Sequence, residues 1–201
     1  MLADLTLKMR IPETKVVKIN NPLDIKLIME MACLKSEYSY PKHKVNLLTI
    51  GRLTYQKGFD ILINAFSKIS NDNLHLTIVG TGEEKEKLTQ QVNYLGLSQK
   101  ITFIPSTDNP YALMKLADVF ISSSRWEGYP NVVIESLACG TPVVANNYPG
   151  GINEIIHEKN GFICNLETEL SQGLEYVTHL TDIEFDNQKI IKIFKDYESL
   201  L

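Results

Sequence analysis

The sequence predicts an α/β protein built on one open parallel sheet of about six strands with helices on both faces, and three observations lead there. From residue 44 onward, short β-branched runs alternate with amphipathic helical stretches. The runs are almost continuously apolar, as in strands covered on both faces, instead of alternating with polar residues. The connections are short, so right-handed strand–helix–strand crossovers join them naturally.

The elements follow in order. Residues 1–22 carry a short helical pattern, a strand over Lys15–Ile19 and a turn at Asn20-Asn21-Pro22. Leu23–Leu34 reads as a helix, and Lys35–Lys44 as a polar connector. Strands are predicted at Val45–Ile50, Leu74–Val79, Lys100–Ile104, Val119–Ser122, Pro142–Ala145 and Phe162–Cys164. Between them lie helical patterns at Gly58–Ile69, Glu83–Leu95, Tyr111–Leu116, Asn131–Cys139 and Ile152–His157. In the first of these, Phe59, Leu62, Ile63, Phe66 and Ile69 share one face, which should be buried. Leu166–Leu180 and Asp186–Leu201 close the chain as helices. The last sets Ile190, Phe194, Tyr197 and Leu201 against Lys189, Lys192 and Lys195, a packing face more than a membrane-binding one.

The 201 residues have room for one α/β domain and a little more. A hydrophobic fraction of 44%, a charged fraction of 22% and a net charge of −4 suit a soluble globular protein and leave no electrostatic footprint for nucleic acid. Cys33, Cys139 and Cys164 are scattered and odd in number, as in reduced cytoplasmic thiols, and none has the spacing of a zinc site. No apolar run approaches a membrane span, and no leader sequence is evident.

Four loops that follow strands carry the candidate chemistry. Gly51-Arg52-Leu-Thr-Tyr-Gln-Lys57-Gly58 brings two cations to the rim where an open parallel sheet binds ligands, and a diphosphate is their natural partner. Gly80-Thr81-Gly82 is a tight turn that lacks the third glycine of a dinucleotide fingerprint, position 85 being Lys85, which disfavours NAD. The segment from Glu127 to Glu135 holds two carboxylates separated by seven residues, one on a Gly/Pro turn and one about a turn inside a helix. Pro130 suits the first helical position, so the amides of Asn131, Val132 and Val133 should point out of the helix end with its dipole. Glu135, in an apolar stretch, needs a partner: either a ligand or an ion pair with Arg52 or Lys57. Glu127 reads as the freer of the two, a turn residue in solvent if it has no ligand. Finally, Gly150-Gly151 opens another helix on the same rim.

In this order, Gly51-Arg52…Lys57-Gly58, Gly80-Thr-Gly82, Ala117-Asp118, Glu127-Gly128-Tyr129-Pro130-Asn131…Glu135, Gly140-Thr-Pro-Val-Val144 and Gly150-Gly151…Glu154 resemble the retaining nucleotide-sugar glycosyltransferases of the GT-B architecture, glycosyl transferases group 1. The resemblance implies a Rossmann-like sheet forming one half of a GT-B fold. It implies that residues 1–22 are the tail of an acceptor-binding N-terminal domain plus linker, and that residues 23–201 form the donor-binding domain with a closing helix at 186–201. The function implied is hexosyl or N-acetylhexosaminyl transfer, with retention, from a nucleotide-diphosphate sugar to a glycan or lipid-linked acceptor in bacterial cell-surface polysaccharide synthesis. The alternative is a truncated, non-catalytic remnant that binds nucleotide sugar.

The roles carried over are these. Arg52, Lys57 and Glu127 are the catalytic candidates, the cations stabilising the leaving diphosphate and Glu127 accepting hydrogen bonds from the sugar. Gly51, Gly80, Gly82, Gly128, Tyr129, Pro130, Asn131, Val132 and Glu135 are the donor-binding candidates, with Glu135 on the ribose hydroxyls. Phe103-Ile-Pro105-Ser106 carries proline where relatives usually have glycine. No Asp-x-Asp occurs, so neither a metal nor another cofactor is expected beside the nucleotide sugar, and two cations with a helix end supply the electrostatics. The expected partners are the donor, the N-terminal domain or a separate chain in its place, and the acceptor. The expected location is the cytoplasm, at the inner membrane face if the full enzyme associates peripherally.

Overall fold

Val45–Ile50 (β1) and Leu74–Val79 (β2) are apolar at most positions because both faces are covered: β1 is buried at its four middle residues and β2 along its whole length. They pair in parallel, Val45 opposite Leu74 through Ile50 opposite Val79. This computed structural model describes Pro12, residues 22–186 and Gln188. It divides into a unit of Met1–Leu23 with Asp186–Leu201 and a unit of Asp24–Phe185, and the fold described here is the second. The short N-terminal helix, the strand at Lys15–Ile19 and the closing helix beyond Gln188 lie outside the described residues.

Four further strands, Ile101–Ile104 (β3), Val119–Ser122 (β4), Val143–Asn146 (β5) and Gly161–Cys164 (β6), complete a six-stranded sheet in the order β3-β2-β1-β4-β5-β6. Every neighbouring pair is parallel. The chain runs outward from β1 to β3, then returns to the other side of β1 with β4. The chain therefore leaves β1 and β4 for opposite faces of the sheet, and the end of the sheet at that switch is the usual ligand position.

Helices Ile25–Ala32 (α1), Phe59–Ser67 (α2), Lys85–Tyr94 (α3), Pro110–Leu116 (α4), Asn131–Ala138 (α5), Ile152–Ile155 (α6) and Leu166–Thr178 (α7) cover the sheet. One core joins α2, α3 and α7 to the sheet through Leu62, Phe66, Leu88 and Leu174. The other joins α4, α5 and α6 through Leu113, Val133, Leu137 and Ile152. The predicted apolar face of α2 is buried as its periodicity requires, with Ile69 partly buried just past the helix end.

Boundaries move where a backbone cannot comply. Gly58 takes φ 63°, so α2 begins at Phe59. Pro142 has no N–H to give the ladder; it precedes β5 and contributes only its carbonyl, which accepts from Phe120. Pro130 is the cap of α5 with ψ 80°, not its first helical residue.

Candidate functional site

A short 3₁₀ turn, Tyr55–Lys57, leaves β1, and Ser123 and Ser124 follow β4 directly. These two segments are laced together. The Ser123 hydroxyl donates to the Lys57 carbonyl at 2.8 Å, and the Arg125 amide donates to the Gln56 carbonyl at 2.7 Å. On that scaffold Lys57 Nζ lies 2.6 Å from Glu127 Oε1, with 20% and 12% of the two side chains exposed. Ser124 Oγ donates to the same carboxylate oxygen at 2.7 Å, and Gln56 Nε2 reaches the other at 3.4 Å. The pair is thus a shielded, charge-assisted contact with further donors around it.

Arg125 is the clamp beside it. Its guanidinium binds Asp60 through two hydrogen bonds of 2.8 and 2.7 Å, donates to the Tyr55 carbonyl at 2.7 Å and lies 3.9 Å over the Tyr55 ring. A planar guanidinium can satisfy all of these at once; an ammonium cannot. Burial pushes the Asp60 carboxyl up, but the hydrogen bonds and charge of Arg125, with the backbone amides of Asp60 and Ile61, outweigh it and hold the group below its ordinary value. A lowered carboxyl stabilises the fold above its unfolded pKa and loses that contribution as pH falls through the folded value. Asp60→Asn should therefore cost stability at pH 7, and the gap to the wild type should close in acid below about pH 3.9. Urea midpoints of the two proteins between pH 7 and pH 2 measure this; a gap that does not narrow as pH falls below about 3.9 argues against the ion pair.

On the other side, the Glu127 amide donates to the Pro149 carbonyl at 3.3 Å. Gly150 has φ 138°, and a Cβ there would run into the Glu127 carbonyl, so only glycine lets this loop lie on the Glu127 backbone. The loops after β1, β4 and β5 together hold one carboxylate.

Glu135 lies in the second turn of α5, half-buried, and its carboxylate has no hydrogen bond or ion pair among the described residues. Burial pushes this carboxyl up, and the charge of Lys57 pulls it partly back. Burial and Glu135 push the neighbouring Cys139 thiol up to about 12, so Cys139 stays protonated and is no nucleophile. The exposed guanidinium of Arg52 also makes no hydrogen bond or ion pair among the described residues. With Gly51, Gly80, Thr81, Ser106 and Thr107 it lines a pocket of about 220 Å³. Gly80 is at φ 145° against the Gly51 carbonyl, where a side chain would collide, so the β1 and β2 loops stack directly.

Among the described residues no three His, Cys, Asp or Glu side chains gather to hold a metal, and no helix is long and apolar enough to cross a membrane. A family model described as "Glycosyl transferases group 1" matches residues 34–192, most of the chain. The chain belongs to that family.

The group 1 domain has relatives of the same kind. A Haemophilus influenzae protein named an uncharacterized glycosyltransferase is 34% identical over 147 residues, which are 67% of this chain and 41% of the relative. A Campylobacter jejuni N-acetylgalactosaminyltransferase, named for an undecaprenyl diphosphate-linked acceptor, is 29% identical over 97% of this chain and 51% of its own length. Among solved structures, Anabaena HepE in complex with UDP superposes with a TM-score of 0.71 at 21% identity, over 97% of this chain and 60% of that one. A Rickettsia africae glycosyltransferase gives 0.73 at 20% identity, over 98% of this chain and 60% of that one. The chain spans about half the length, or less, of the curated relatives it matches, and its sheet is one half of a GT-B fold.

Within this group 1 domain the structure shows which of the predicted residues touch. Lys57 and Glu127 meet, while Arg52 lines the pocket between the β1 and β2 loops. Glu127, expected to be the freer carboxylate, is the paired and largely shielded one, because Lys57, Ser124 and Gln56 converge on its carboxylate. Glu135, expected to pair with Arg52 or Lys57 if it had no ligand, pairs with neither. Two of the amides expected to be free are occupied: Asn131 donates to Tyr129 and Val133 to Pro130, each at 3.0 Å. The Val132 amide alone of the three has no backbone partner among the described residues. Tyr129 lies with its ring against Gly151, and Gly128 is exposed. Gly82 lies against the Leu53 backbone, a packing role. Sequence reasoning missed Ser124, Gln56 and the Arg125–Asp60 clamp. The run Ser122-Ser-Ser124 at a strand end was the one visible signal for the first.

Proposed function

We propose that this domain supplies the donor site for retaining transfer of a hexosyl or N-acetylhexosaminyl group from a nucleotide-diphosphate sugar to a glycan or lipid-linked acceptor, in synthesis of a bacterial-type surface polysaccharide. The observation that carries the reading is the shielded Lys57–Glu127 pair that joins the β1 and β4 loops, with the half-buried Glu135 carboxylate within the influence of the Lys57 charge and the Arg52 guanidinium on the loop after β1, neither of these two paired among the described residues. A ligand with phosphates at one place and hydroxyls at others satisfies all four groups. Arg52 and Lys57 take the diphosphate and stabilise the charge that grows on it as the bond to the anomeric carbon breaks. Glu127 orients the Lys57 ammonium and accepts from sugar hydroxyls, and Glu135 accepts from the ribose. The backbone around Gly128–Val132 contacts sugar and phosphate through the Val132 amide at the positive end of α5. Neither glutamate is assigned as a covalent nucleophile.

The acceptor in the Campylobacter relative's name and the UDP complex of Anabaena HepE support this class of substrate. Transfer itself requires the part of the relatives that this chain does not span, so the isolated chain should bind donor with little turnover. Calorimetry against UDP-glucose, UDP-N-acetylglucosamine and GDP-mannose tests the reading; no binding to any donor or its nucleoside diphosphate would overturn it. Arg52→Ala should weaken nucleoside-diphosphate binding by about tenfold, the loss of one charge-assisted contact. Its melting temperature should not move, since the Arg52 side chain makes no hydrogen bond or ion pair among the described residues.

A further inference from the structure

Tyr55 and Trp126 are among the few large apolar side chains left in solvent, 55% and 47% exposed. Their ring centroids are 6.1 Å apart at an interplanar angle of 56°. They flank the paired charges: Tyr55 lies two residues before Lys57, and Trp126 immediately precedes Glu127. The charges point inward while the rings stay at the rim. We infer that the Tyr55–Trp126 pair is a seat for a neutral sugar ring of the acceptor glycan, placed at the mouth of the Lys57–Glu127 site.

Three features favour that occupant. The pair is held before any ligand arrives: the Arg125 guanidinium backs the Tyr55 ring at 3.9 Å, and Gln56 Nε2 holds the Trp126 carbonyl at 2.9 Å. A surface already ordered loses little freedom when it binds. The patch also carries no spare charge, because Arg125 is spent on Asp60 through two hydrogen bonds. A phosphate finds no partner on it. A pyranose face, whose C–H groups carry slight positive charge, meets the negative face of an aromatic ring. Lastly, the donor groups lie deeper, with only 20% and 12% of the Lys57 and Glu127 side chains exposed, so a sugar on the outer rings leaves that pair to the donor. This inference rests on the donor reading above.

Trp126 is the one tryptophan of the chain, so its emission reports on this patch directly. The test titrates the full chain with chitobiose and with maltose, following Trp126 fluorescence with and without saturating UDP, and measures UDP binding separately by calorimetry. Expected is a saturable emission change at about millimolar disaccharide. Tyr55→Ala should weaken it about threefold to tenfold, and Tyr55→Phe, which keeps the ring face, should retain it. UDP binding should be the same in both variants. A protein that binds UDP but shows no saturable response to either disaccharide overturns the inference; an aromatic pair that seats a polypeptide segment gives that result. A disaccharide response in a chain that binds neither UDP nor GDP keeps the sugar seat and removes the donor reading.

Discussion

Lys57→Ala should weaken nucleoside-diphosphate binding by about 10–150-fold, the loss of a charge-assisted hydrogen bond to phosphate, and should also lower stability. The two losses have different origins. In the folded protein Lys57 Nζ is 2.6 Å from Glu127, whose side chain is 12% exposed. Removing the ammonium strands a shielded carboxylate. Ser124 and Gln56 still donate to it, so the cost is that of an under-satisfied polar group, about 1–3 kcal/mol, and less than that of a bare buried charge. A second change separates the effects. Lys57→Ala with Glu127→Gln removes both charges, so denaturation should show stability recovered while calorimetry shows binding still weak. Full recovery of UDP affinity in the double variant would mean that Lys57 serves only to neutralise Glu127 and has no contact with the diphosphate.

Glu135→Gln should move binding and stability in opposite directions. Its carboxylate is half-buried without a direct partner among the described residues, and burial raises its pKa while Lys57 partly opposes this. A carboxyl raised in the folded state keeps its full contribution to stability below its unfolded pKa and loses it as pH rises through the folded value. At pH 7 burial therefore penalises the charged form of this group, a cost that glutamine lacks. The variant should unfold at higher urea than the wild type at pH 7, and the two midpoints should converge near pH 4. Binding should show the reverse: ribonucleotide affinity falling by about tenfold, the low end for a charged acceptor because the amide carbonyl still accepts, and inorganic pyrophosphate affinity unchanged. Equal losses for UDP and pyrophosphate would remove Glu135 from the ribose. Such a trade of stability for a polar group at a binding site is common.

The strands and helices were legible because their signals are local. Leu74–Val79 is apolar at nearly every position, which only a strand covered on both faces tolerates, and Phe59, Leu62, Ile63 and Phe66 mark one helix face. Errors fell at ends where one residue's backbone decides, as at Gly58, Pro130 and Pro142. The site was legible as a set of chemistries but not as a set of pairs. Glu127 and Glu135 are both glutamates in or beside an apolar helix start, and nothing in their spacing states which one Lys57 reaches. Asp60, at the start of α2, and Arg125, after β4, are 65 residues apart and carry no motif that links them.

By itself, then, the amino-acid order determined the α/β alternation, the loops that bear cations, glycines and carboxylates, and the family those loops resemble. All of these depend on neighbours within a few positions. Only the tertiary structure decided the partners: it tied the β1 and β4 loops together, closed Lys57 on Glu127 and Arg125 on Asp60, and left Arg52 and Glu135 without a hydrogen bond or ion pair among the described residues. The physical reason is that charge pairing falls off over a few ångströms, and such distances between residues far apart in the chain are set by the path of the chain across the sheet.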